Sequence, residues 1–280
     1  MRNFTLRVLV LSFSLALASG ESPSRLAAVF SRIQGGASAS EAFAGVDLSA
    51  LSLPAEEGTL LAALKSGDPR AAKAAAASSA ALLYLHPDAA SAGTVRRLMP
   101  ALAAHYDDPD PDQPAGISAP TDFWRQKVMA LLSASNAQPG PELLGKIEAD
   151  AYRTGDAYGG TARIAWNTLA GLRPLPDDVA RILLDGIRGP APTKLAVIEA
   201  LGRSRVSDAP AVSALIQALE GGTEIRRAAV VALGEIGAPA KGAVHALEGI
   251  SHSFDPSFTP EEREDAARAL RAIQTGGVRN

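Results

Sequence analysis

The sequence predicts an all-α fold, an α-solenoid of about six antiparallel helix pairs, and three observations carry that prediction. Leu169, Leu201 and Leu233 recur 32 residues apart, each near the end of a helix-like segment. Leu183, Leu215 and Leu247 keep the same 32-residue step in the intervening segments. Two interleaved helical patterns at one period indicate stacked helix pairs, in which each pair buries its apolar face on its neighbours. The third observation is composition: 56 of the 280 residues are alanine, and only 5% are aromatic. Alanine is the strongest helix former and lets helices approach closely, whereas a β-sandwich favours Val, Ile, Thr and aromatic residues.

Residues 1–20 read as a secretory signal peptide. Arg2 and Arg7 supply a positive start, and Val8 to Ala18 form an apolar run. Ala16-Leu17-Ala18 or Ala18-Ser19-Gly20 then offers small residues for cleavage. Such a run is too short to span a membrane. Residues 21–56 read as an N-terminal helical cap. Ser22-Pro23 is a candidate start, Leu26, Val29, Phe30 and Ile33 follow at helical spacing, and Gly35-Gly36 stops the helix. A weaker helix and a loop fill 37–53.

Residues 57–275 read as the solenoid itself, with 276–280 as a tail. Helices are expected over 57–65 and 70–85, joined by Gly67-Asp68-Pro69, and then over 94–106 and 121–133. The later pairs are 141–152 with 161–172, 177–187 with 193–202, 208–219 with 224–236, and 239–250 with 260–273. Ser207, Thr223 and Thr259 are candidate caps, because a hydroxyl can accept from the free backbone amides of a helix start. The clearest core stripe is Ile225, Ala228, Ala229, Ala232, Leu233 and Ile236, an i, i+3, i+4, i+7 pattern. It repeats 32 residues earlier as Ala196, Val197, Ala200 and Leu201, and again as Ile164, Ala165, Thr168 and Leu169.

The run from Ile225 to Gly237, IRRAAVVALGEIG, resembles a HEAT repeat of the short bacterial type also found in phycobilin lyases. Gly67-Asp68-Pro69-Arg70 resembles the turn that opens the second helix of such repeats. The match is close over about 177–250 and looser toward residue 57. The resemblance implies a right-handed superhelix whose second helices line the concave side, and a role as a protein-binding scaffold.

Charge and chemistry narrow the functions further. Without the first twenty residues the chain keeps 25 basic and 30 acidic side chains, a balance opposed to nucleic-acid binding, which needs a basic footprint. With no cysteine, disulfides, thiol catalysis and thiolate metal sites are excluded together. The four histidines, His86, His105, His245 and His252, form no H-E-x-x-H or H-x-H pattern. His245 and Glu248 share a helix face as a weak metal candidate. Asp108, Asp110 and Asp112 mimic the opening of a calcium loop, but Gln113 and Ala119 stand where an EF-hand needs glycine and glutamate. No metal, cofactor or catalytic residue is expected. Two insertions, 107–120 and 251–260, interrupt the period and are candidate partner contacts.

The candidate binding strip is an apolar ladder flanked by cations. Trp166, Ile198 and Val230 occupy one repeat position, and a looser alignment adds Met129. Arg163, Lys194, Arg226 and Arg227 run beside them. A tryptophan and guanidinium groups on one concave strip suit recognition of a protein or peptide with an acidic segment. The sequence therefore points to an exported, secreted or periplasmic, non-enzymatic scaffold. A lyase-like or other enzyme with an unrecognised groove, and a structural subunit of an envelope assembly, are the alternatives.

Overall fold

The computed structural model describes residues 24–112, 122–153 and 160–276, and every regular element among them is helical. The expected signal segment, the Ser22-Pro23 start, and part of the 107–120 insertion lie outside the described residues. No helix among the described residues is long and apolar enough to cross a membrane. The chain divides into two units, Met1–Ala137 and Gln138–Asn280.

In the first unit, α1 (Arg25–Gln34) and α2 (Ala39–Phe43) precede a 3-10 turn at Leu48–Ala50. They are followed by α3 (Leu53–Leu64), α4 (Pro69–Leu85), α5 (Ala89–Ala104) and α6 (Asp122–Ser135). The hydroxyl of Ser24 caps α1 by accepting from the Ala27 amide. Asp68 caps α4 and Pro69 occupies its first turn, where a missing N–H costs nothing. Leu26, Val29, Phe30 and Ile33 are buried, as their spacing requires. Helix α1 packs on α3 and α4, α3 on α4 and α5, and α6 on α4 and α5.

The second unit contains α7 (Pro141–Ala151), α8 (Thr161–Gly171), α9 (Asp177–Arg188), α10 (Ala191–Arg203) and α11 (Ala209–Ala218). It continues with α12 (Thr223–Ile236), a 3-10 segment Ala238–Ala243, α13 (Val244–Ser251) and α14 (Pro260–Gln274). Each hairpin closes on itself, α7 on α8, α9 on α10, α11 on α12 and α13 on α14. The second helices also form a row, α8 on α10, α10 on α12 and α12 on α14. This is helix-pair stacking in sequence order. The two leucine series lie in its interior: Leu169, Leu201, Leu233, Leu183, Leu215 and Leu247 are all buried.

The caps are only partly those expected. Thr259 accepts from the Glu262 amide, and the Glu262 carboxylate accepts from the Thr259 amide, a reciprocal capping box. Thr223 is instead the first residue of α12, behind an N-cap at Gly222. Asp208, not Ser207, occupies the N-cap of α11, without a side-chain bond. The expected helix 239–250 is also divided, because Ala240 leaves helical geometry and the tighter 3-10 segment precedes α13.

Candidate interaction groove

The structure corrects the expected ladder. Trp166 is 1% exposed, and Met129, Ile198 and Val230 are fully buried. Met129 is part of the interior of the first unit. In the second, Trp166 stands edge-on to Tyr152 at a centroid distance of 5.1 Å. Its ring also lies against α9, where a Cβ on Gly186 would meet Trp166 Cη2 at 2.7 Å and Val197 Cγ2 at 2.8 Å. Trp166 therefore plugs the space between three helices and is not a surface anchor. Helix α8 packs on α7, α9 and α10, and α10 and α12 each pack on their hairpin partner and on the second helices to either side, so a residue just outside the narrow apolar stripe is still interior.

The basic row also differs from the expectation. Arg163 is exposed and Lys194 is half-buried. Arg226 Nε donates to Glu262 Oε1 at 2.8 Å, and the guanidinium also stacks on the Phe258 ring at 4.6 Å. Arg227 Nε donates to Asp265 Oδ2 at 2.8 Å. Both arginines thus turn toward α14, whose Glu262 and Asp265 carboxylates are buried. Burial pushes the Glu262 carboxyl up, but hydrogen bonds from Arg226 and from Thr259 outweigh it and hold the group below its usual range. The hydrogen bond and charge of Asp265 push Arg227 up.

The surface of this row of helices lies one residue farther along. A groove of about 740 Å³ runs between α10 and α12, with Leu195, Glu199 and Arg203 on one wall and Arg227, Val231 and Glu235 among the residues of the other. In the 32-residue register Leu195 matches Arg227, Glu199 matches Val231, and Arg203 matches Glu235. Val231 is 44% exposed in its centre. The Glu235 side chain reaches across to α10, where a Cβ on Gly202 would meet Oε2 at 2.5 Å. Desolvation pushes the Glu235 carboxyl above its usual range, Arg203 and Arg205 pull against it, and Glu199 adds to the rise. Glu199 in turn pairs with Arg203 at 3.3 Å. The arrangement offers a shallow apolar floor with carboxylates at its edges and no assembled nucleophile and base.

The aspartates of the calcium-loop reading have structural partners. Lys73 lies between Asp110 and Asp112, at 2.5 Å and 2.6 Å, so an ammonium occupies the place the calcium-loop reading gave to a cation. His105 Nδ1 lies 2.6 Å from Asp108 Oδ2, and its Nε2 lies 2.8 Å from the Leu64 carbonyl oxygen. His245 and Glu248 are exposed, and among the described residues no group of three His, Asp or Glu side chains could hold a metal. The 251–260 insertion is fastened from beneath: Arg226 Nη2 donates to the Ser257 carbonyl, and Arg263 Nη1 donates to the carbonyls of Ser253 and Phe258.

No family model matches this chain, and no curated protein matches it. Among solved structures it is similar to the crystal structure of an engineered protein at 18% identity. That alignment covers 79% of this chain and 98% of the engineered one, with a TM-score of 0.39.

Proposed function

We propose that this chain is an exported, non-enzymatic scaffold of HEAT-like helix pairs that binds another protein along the second helices of residues 138–276. The observation that carries the reading is the α10–α12 groove, where Val231 stays 44% exposed beside the partly buried Leu195 and Ala228. An exposed β-branched side chain between two helices, rimmed by charges, is a suitable seat for an apolar partner side chain. Binding is equilibrium recognition on a preformed surface, and neighbouring repeats add contacts. Export is proposed from Arg2, Arg7 and the apolar run Val8–Ala18.

The test is affinity purification of the chain lacking residues 1–20 from its native envelope, beside a Val231→Asp variant of equal helicity. A partner held by the parent chain and lost by the variant is the expected result. A bound metabolite that is chemically converted, or a partner retained equally by both proteins, would overturn the reading.

A further inference from the structure

We infer that the α10–α12 groove takes a basic segment of its partner, with apolar side chains on Leu195, Ala228 and Val231, one Lys or Arg at Glu235 and another at Glu224. This assignment rests on the scaffold reading and adds the sign of the partner's charge, opposite to the acidic segment expected from the sequence.

The argument is one of charge left over after internal pairing. Arg227, the groove-lining cation nearest α14, is already bound to Asp265. Arg203, the other groove-lining cation, is shared with Glu199. An acidic partner would have to displace carboxylates that are already in place. Glu224 and Glu235 line the same groove, and neither forms an ion pair among the described residues. They stand eleven positions apart on α12, about three turns, so they share one face at roughly 16 Å separation. The apolar floor lies between them. Arg203, which is shared with Glu199, and Arg205, which stands outside the groove lining, each offset the Glu235 charge only in part. A partner cation would meet Glu235 at the exposed rim of the groove, where the attraction is that of a salt-screened surface contact.

The experiment uses the full chain and two short fluorescein-labelled peptides, read by anisotropy. One carries arginine near both ends with leucine and valine between; the other has glutamate in place of each arginine. The arginine peptide is expected to bind at least about tenfold more tightly, and more weakly as salt rises. Glu235→Gln should cost about tenfold and Glu224→Gln less, as expected for a charge-assisted contact. Glu220→Gln, outside the groove, should change nothing. Helicity by circular dichroism shows that each variant is folded. Preference for the glutamate peptide, abolished by Val231→Asp, would overturn the charge assignment while leaving the groove reading standing. Binding of neither peptide, or an unchanged affinity in Glu235→Gln, also overturns the assignment. The scaffold reading is judged separately by partner capture with Val231→Asp.

Discussion

Arg226 lies 2.8 Å from Glu262, and the Glu262 side chain is completely removed from solvent. The same carboxylate closes the capping box at Thr259. One acid therefore ties α12 to α14 and fixes the start of α14.

Arg226→Ala should leave that carboxylate buried without a counter-charge. Breaking a buried pair from one side costs about 3–5 kcal/mol, measurable by urea unfolding. Glu262→Gln, which removes the charge and keeps the shape, should cost less. Because the folded Glu262 carboxyl sits below its usual 4.5, its contribution to stability is complete above that value. It is lost as pH falls through the depressed folded value. Acid unfolding monitored by circular dichroism should lose this component in Arg226→Ala.

Gly186→Ala should destabilise the second unit, because its new methyl would overlap Trp166 and Val197. Overpacking of this kind costs about 1–3 kcal/mol. Adding Trp166→Phe should recover part of the loss, since the clash is with the ring atoms that phenylalanine lacks. Additive penalties in the double variant would show that the two side chains do not compete for one space.

The two threonines at helix starts should behave differently. Thr259→Ala removes an N-cap acceptor and should cost about 1 kcal/mol. Thr223→Ala should cost less, because Gly222 holds the N-cap of α12 and no hydroxyl caps it. Comparing denaturant midpoints at unchanged slope decides the matter.

Leu201→Ala and Leu233→Ala should each cost about 2–5 kcal/mol, the range for truncating a buried leucine. Their similar burial, at 1% and 0% exposure, predicts penalties that differ little from each other. A near-neutral result at either site, read by thermal unfolding, would contradict their equivalence in successive repeats.

Much of the helical layout was legible from breakers and periodicity. Asp68-Pro69 marks the start of α4, and Thr259-Pro260 marks α14, because these pairs supply an acceptor and a preset φ where a helix begins. The division into 3-10 and α segments at 238–251 was not legible, since proline and glycine there announce a boundary without its geometry. The groove was missed by one residue. Trp166, Ile198 and Val230 were the candidate surface, while the exposed row passes through Glu199 and Val231. A step of one residue turns the helix by about 100°, and alanine-rich helices carry too little contrast in side-chain size to mark which row faces outward.

The chain by itself determined that helices form, where most of them start, and that two leucine series share one interior, because 3.6-residue periodicity and capping are local physics. Only the tertiary structure decided which apolar row was covered and which cations were taken. Arg226 reaches Glu262 across 36 residues and Arg227 reaches Asp265 across 38, spans that the 251–260 insertion removes from the 32-residue register. Burial and ion pairing depend on neighbours brought together in space, and a helix with neighbours on several sides hides residues that its own amphipathicity would leave at the surface.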